Sequence, residues 1–350
     1  MCEAGRAVGA DAAINWDWAE AGRGAVTALP AAVIMLAVDV SLGIAFALGT
    51  LPVAMLGVPP HRSQRPRLGL AGLAFAVSYA LGSVLGLQAV VAVVGLTVVA
   101  YAGVLFSARK PAARLLPAML LPAFALGMNH PAPDGFIVAA VLLAGCAWAT
   151  LITYCWPQTH PPAVTATPPG PAHDPAAARR AVQIYAVLFS AAAGLGLALG
   201  YLFGLVHVAW AAAAAMFIMR PDPGLLTSRA IGRTVATFAG VVAAALLLRR
   251  GPTETALAIV TVAAIAAMIA VRTSRWYIAS AGSGIIVMLV SGAAGTRVLD
   301  VTFTERITET ALGAGLALFF GVAIPAGLRW LPRRHATSQT DQATVPPAAG

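Results

Sequence analysis

Apolar runs long enough to cross lipid, repeated from one end to the other, constrain this chain more than any motif in it. They fall near 24–40, 42–57, 68–86, 88–106, 112–128 and 135–156, then near 180–199, 202–219, 227–248, 254–271, 276–292 and 306–328. Of 350 residues, 59% are apolar and only 10% charged, and a soluble fold of that size cannot hide so much apolar surface. The pattern predicts an all-α integral membrane protein of about twelve transmembrane helices, arranged as two six-helix halves. The stretch 24–57 reads as two crossings with a tight turn, because one helix of that length would reach about 51 Å against a hydrocarbon core of about 30 Å. The same reasoning divides 180–219 at Gly200–Tyr201.

Charge bears on orientation. With the N-terminus in the cytoplasm and twelve crossings, all of the 22 Lys and Arg except Arg249, Arg250, Arg297 and Arg306 fall on inside connections, as the positive-inside rule requires. The chain is therefore expected as a multi-pass protein of the cytoplasmic membrane with both termini in the cytoplasm. The net charge of +9 then reflects topology and contact with anionic lipid of the bilayer. No basic stripe with interleaved aromatics exists, so no nucleic-acid partner is expected. Residues 1–22 are polar and lack a cleavable apolar leader, and read as a cytoplasmic tail. Cys2, Cys146 and Cys155 have no metal-ligand spacing and imply no disulfide framework.

The Pro-rich stretch 157–178 cannot pack and reads as a stiff cytoplasmic spacer between a six-helix unit at 23–156 and another at 179–331, with a tail at 332–350. Both units open on Arg then Ala-Val, at Arg23 and Arg180, and both close on Trp then Pro, at Trp156-Pro157 and Trp330-Leu331-Pro332. An even number of crossings per unit requires a parallel repeat, and transporters often place the substrate path between such halves. Small residues at helical spacing, Ser78-Gly82-Gly86 and Gly196-Gly200-Gly204, mark close helix contacts, since van der Waals packing rather than water drives association in lipid.

Polar residues inside apolar segments are the candidate functional groups. Thr227 and Ser228 are placed to cap the ninth segment, and Arg229, Arg233, Thr237 and Gly240 then follow at steps of three or four on one helix face. Such a ridge should face protein or water. Arg233 offers a planar donor fork suited to a carboxylate or phosphate, and an arginine snorkelling to the headgroups is the competing account. His207 and Trp210 lie one turn apart: a proton carrier beside an aromatic platform, or a satisfied core histidine beside a packing residue. Glu305, Arg306, Glu309 and Gly313 open the last segment, where Arg306 and Glu309 are spaced to pair on the helix surface as a solvated lip. Asp39, the only acid within the first set, sits near the outer mouth, either as a coupling-proton carrier or as a helix cap. No nucleophile–base pair, metal-ligand set or phosphate-binding glycine loop is present, so neither an enzyme nor a cofactor is expected.

The order of a Trp-bearing helix at Trp210, an Ala-rich run, a Pro-containing loop and then Arg229…Arg233-Thr-Val-Ala-Thr237…Gly240 resembles the signature of the fusaric acid resistance superfamily, which includes the aromatic acid exporters. Arg233, Thr237 and Gly240 match its Arg-x-x-Gly-Thr-x-x-Gly pattern, while Ala236 stands where the family usually has Gly. Arg306…Glu309-Thr310…Gly313 resembles the family's later Arg-x-x-acid-Thr-x-x-Gly helix. The likeness covers about 202–328. The large soluble domain that many members carry between the halves is replaced here by the short spacer.

The resemblance implies proton-coupled export of aromatic or other organic acids. Arg229 or Arg233 would attract the carboxylate, Thr237 and Trp210 would complete the substrate site, and Asp39 or His207 would exchange the proton. A passive organic-anion channel and a non-transporting scaffold or envelope-assembly subunit are the alternatives left open, as are a homo-oligomer and a periplasmic accessory partner.

Overall fold

A computed structural model describes residues 15–109, 116–157, 175–272, 278–292 and 296–330. The described chain is all-α. In order, its helices are α1 (Trp18–Ala37), α2 (Val40–Leu56), α3 (Pro66–Leu85), α4 (Ala89–Arg109), α5 (Leu116–Gly127), α6 (Asp134–Cys155), α7 (Pro175–Leu202), α8 (Trp210–Ile218), α9 (Pro223–Leu248), α10 (Glu254–Ala270), α11 (Ile278–Gly292) and α12 (Thr296–Leu318). A π-helical turn (Phe319–Ala323) and a last α-helical segment (Ile324–Trp330) extend α12.

Side-chain caps set several boundaries. Asp17 accepts the amide hydrogens of Ala19 and Glu20, at 2.9 and 3.1 Å, so α1 starts well before the apolar stretch that predicts it. Asp39 accepts the Leu42 N–H at 2.8 Å and starts α2, dividing 24–57 at the expected place. Asp222, not Thr227 or Ser228, caps α9: it accepts from Gly224 and Leu225, with Pro223 at the first helical position where its missing N–H costs nothing. The spacer at 157–178 lies mostly outside the described residues, but α7 already begins at Pro175.

The expected count of about twelve transmembrane helices in two six-helix halves is corrected. Among the described residues, 7 helices are long and apolar enough to cross a membrane: Trp18–Ala37, Arg62–Leu85, Ala89–Arg109, Asp134–Cys155, Ala176–Leu202, Gly224–Leu248 and Val301–Gly327. Four of these precede the spacer and three follow it. The reason is length. At about 1.5 Å per residue, helices α2 and α10, of 17 residues each, reach about 26 Å; α5 (12 residues) and α8 (9 residues) reach about 18 and 14 Å. The apolar run 202–219 in particular yields only α8, because residues 203–209 form turns and 219–222 are non-helical. The sidedness read from twelve crossings loses its footing with that count.

The helices pair in a pattern that recurs at an offset of six. Helix α2 packs on α6 and α8 on α12; α3 on α5 and α9 on α11; α1 on α10 and α7 on α4. The Ser78-Gly82-Gly86 ridge lies on α5, where Ser78 Oγ donates to the Leu120 carbonyl at 2.7 Å and a Cβ at Gly82 would run into the Phe124 carbonyl. The opposite flank of α3 exposes Leu70, Val77, Leu81 and Val84, and α4 exposes Val90, Val94 and Val98. Rows of exposed aliphatic side chains on such helices fit contact with acyl chains, and the chain is a multi-pass helical membrane protein.

Candidate functional site

The polar interior gathers around α8. Its residues Ala211 to Ala215 are all buried, and their small side chains let neighbouring helices approach closely. A Cβ at Gly313 of α12 would stand 2.6 Å from both the Ala211 carbonyl oxygen and the Ala214 Cβ, so only glycine allows this contact.

Two aromatic residues bracket the alanine run. Trp210 and Phe217 are seven residues apart, which puts them on one helix face about 10 Å apart along the axis. Each ring carries a guanidinium. Arg306 of α12 lies over Trp210, 4.1 Å from the ring centroid, and Arg233 of α9 lies over Phe217 at 4.4 Å. The negative ring faces hold both cations in place within an apolar bundle. Arg233 also donates from Nη1 to Ser280 Oγ of α11 at 3.2 Å. The Nε of Arg233 and the Nε of Arg306 are buried and have no hydrogen-bond partner, so both forks retain donors to offer.

A second group sits beside Trp210. The His207 imidazole stacks on the Trp210 ring, with centroids 3.8 Å apart and planes 12° off parallel. Its Nδ1 lies 3.3 Å from Glu305 Oε2, and the Val206 N–H donates to Glu305 Oε1 at 3.0 Å. Burial pushes His207 below its ordinary pKa, and the hydrogen bond and charge of Glu305 pull the other way. Glu309, one turn along α12, is wholly buried, and neither of its carboxylate oxygens has a hydrogen-bond partner. The surface pairing with Arg306 that the spacing suggests is not what forms. Arg306 turns onto Trp210, and Glu309 is sealed in the interior rather than set in a solvated lip.

The ridge of α9 faces protein. Arg233 and Gly240 both meet α11, where a Cβ at Gly240 would collide with the Ala281 carbonyl. Thr237 is buried and lines a groove between α9 and α12 with Phe238, Val241, Ile307 and Thr310. Arg229 stands nearer the start of α9, close to Arg220 and Tyr185. Arg220 donates to the Met219 carbonyl at 2.6 Å, and burial pushes its pKa below the ordinary value. Arg220, Arg229 and Arg233 gather toward the Phe217 end of α8, a local concentration of positive charge that favours anions, while Arg306 stands with the carboxylates of Glu305 and Glu309 at the Trp210 end.

Of the predicted site residues, Trp210, His207, Arg306 and Glu309 converge on one end of α8, and Arg233 sits at the other end. Asp39 does not join them. It is exposed and caps α2, on helices that pack with α1, α6 and α10. Sequence reasoning missed Phe217 and Ser280; the seven-residue step from Trp210 was the available signal for Phe217. It also missed a buried ion cluster. Glu20 Oε2 accepts from Arg23 Nη2 at 2.6 Å and from Arg272 Nε at 3.1 Å, and Arg23 also donates to the Ala54 carbonyl at 2.8 Å. Read as a basic residue ahead of the first span, Arg23 is instead fully buried within α1. Arg65 closes the end of α6, its Nη1 donating to the carbonyls of Thr153, Tyr154 and Trp156 at 3.2, 2.6 and 3.0 Å.

Residues 193–320 match the family model described as fusaric acid resistance protein-like, a little over a third of the chain. The matched stretch holds the whole of α8 to α12, and with them every residue of the group around Trp210 and Phe217. No curated protein and no solved structure matches the chain.

Proposed function

We propose that this membrane protein is a secondary transporter that exports organic anions, aromatic carboxylates foremost, from the cell in exchange for protons. The observation that carries the reading is Arg233: a half-buried arginine set between Phe217 and Ser280, its Nε buried and still unused as a donor, inside a bundle of apolar helices. A cation is costly there and is kept where it has an anion to meet. Its planar fork suits a carboxylate, and the neighbouring aromatic rings suit an aromatic body attached to one. Thr237 lies one turn further along α9 and would hydrogen-bond the bound anion. Trp210 and Arg306 offer a second cation–aromatic station about 10 Å away along α8, so an anion would pass between two arginines. His207, hydrogen-bonded to Glu305, is the group proposed to exchange the proton. The arginine-bearing start of α9 would then face the cytoplasm, as the positive-inside rule favours.

The discontinuity around α8 also supports this reading. Non-helical backbone at membrane depth is tolerated where it lines a cavity or is buried in protein, and broken helices of this kind form the binding sites of many transporters.

Efflux of a radiolabelled aromatic carboxylate such as benzoate from proteoliposomes tests the proposal. Transport should require a proton gradient and collapse with an ionophore, and Arg233→Ala should lower it at least about tenfold while leaving the protein folded. Undiminished flux in a folded Arg233→Ala variant removes Arg233 from the mechanism. Flux that survives the ionophore indicates a passive channel, and binding without any flux indicates a scaffold.

A further inference from the structure

Glu309 is the least compensated polar group at this end of α8. It has no exposed surface, and no hydrogen bond reaches either carboxylate oxygen. Leaving a buried carboxylate in that condition is costly unless a cation or a proton completes it. Its neighbours are suited to share a cation: one ligand atom from each of His207, Glu305 and Glu309 lies within 4.8 Å of the others. Glu305 and Glu309 are four residues apart on one face of α12, and His207 comes from the α7–α8 turn, 98 residues before Glu305. That distance along the chain is why no ligand spacing is visible in the sequence.

We propose that His207, Glu305 and Glu309 bind one divalent transition-metal ion, with Zn2+ the best fit to the donor chemistry. An imidazole nitrogen with two carboxylate oxygens is a set that Zn2+ accepts at about 2.0–2.2 Å, leaving one coordination position for a further ligand. Donor atoms around a tetrahedral ion of that size stand about 3.4 Å apart. The His207–Glu305 contact, at 3.3 Å, already has that spacing. The Glu309 carboxylate needs to close by no more than about 1.4 Å to join them.

The surroundings orient the ligands. The Val206 N–H engages Glu305 Oε1 and leaves Oε2 directed at His207, and the stack on Trp210 fixes the plane of the imidazole. Hard cations such as Mg2+ and Ca2+ are poorly served, because they want six or more oxygen ligands and this group supplies two carboxylates and a nitrogen. Arg306 offsets one of the two carboxylate charges, so the group keeps one net negative charge with a neutral imidazole, which favours a divalent cation. A bound ion would tie the α7–α8 turn to α12.

The test needs no transport measurement, and a bound ion would take the His207–Glu305 pair out of the proton-exchange role proposed above while leaving the anion site at Arg233 untouched. Tag-free protein is purified in detergent, stripped with chelator and titrated with Zn2+ by calorimetry, and Co2+ is added to a second sample to read the visible bands of a tetrahedral site. The expected result is one ion per chain and a rise in unfolding temperature with Zn2+. Glu309→Gln and His207→Gln should each weaken binding by about tenfold or more, and Glu254→Gln, at the exposed start of α10, should leave it unchanged. If Glu309→Gln fails to fold, Glu305→Gln and His207→Gln decide the matter. Wild-type protein that takes up no ion at micromolar Zn2+, or ligand variants that bind as wild type does, would overturn the proposal.

Discussion

The guanidinium of Arg233 on α9 lies 4.4 Å from the centroid of the Phe217 ring on α8, so a cation and an aromatic face from two separate helices meet inside an apolar bundle. The contact uses the flat shape of arginine as much as its charge. Lysine at this position keeps the charge but loses the planar fork and the stacked surface. Arg233→Lys is therefore expected to express and fold like the parent, yet to transport an aromatic carboxylate about tenfold more slowly in proteoliposomes. Equal rates for the two proteins would show that charge alone matters there.

The Glu20 cluster behaves differently, because the Glu20 carboxylate is hydrogen-bonded to both Arg23 and Arg272. Removing one member of a buried ion pair leaves an uncompensated charge, at a cost of about 3–5 kcal/mol. Glu20→Gln should lower thermal stability in detergent markedly, as read by size exclusion after heating. Arg62→Ala, a substitution at an exposed residue before α3, should change it little.

Two glycines on α12 separate packing from helix propensity. A Cβ at Gly313 would meet the α8 backbone, whereas one at Gly315 would meet nothing within 4 Å. Gly313→Ala should destabilise by about 1–3 kcal/mol through overpacking. Gly315→Ala should be neutral or stabilise by up to about 1 kcal/mol, since alanine is the better helix former. Melting curves of the two variants, taken side by side, should move in opposite directions or show one shift only.

Cysteine labelling reports the burial of α6. Cys146 is buried and its Sγ lies 2.9 Å from the Gly49 carbonyl as donor, while Cys155 at the end of the helix is exposed. In a Cys2→Ser background, a maleimide should modify the Cys146→Ser variant, which retains Cys155, and leave the Cys155→Ser variant unmodified until it is unfolded. Rapid labelling of Cys146 in folded protein would contradict the packing of α6 on α2.

Much of the helical plan was legible in the residues, and the failures have physical causes. The turn at Val38-Asp39 could be read because no single span fits 24–57 and an acid marks the break. Span lengths could not be read, because hydropathy responds to composition: the run 202–219 is apolar throughout, yet the turns ahead of Trp210 leave only nine helical residues. Arg23 looked like a flanking charge because, besides Glu20, its partners are the Ala54 carbonyl on α2 and the Thr153 hydroxyl on α6, far away in sequence. Arg306 and Glu309, three apart, carry the spacing of a surface ion pair. Only the aromatic ring that α8 brings to Arg306 shows why the pair does not form. The ridge of Arg233, Thr237 and Gly240 was legible because its period is that of the helix itself, and its partners Phe217 and Ser280 come from other helices.

Neither end of α8 runs on into a neighbouring helix; side chains hold the adjoining backbone. The Ala209 N–H donates to Asn129 Oδ1 at 3.1 Å, the Val206 N–H to Glu305, and the Met219 carbonyl accepts from Arg220. Such a segment is mechanically insulated: strain in α7 or α9 has no continuous rod through which to reach it. Each anchor is a single side chain, so one substitution can release a backbone group beside this short rod without cutting through any helix.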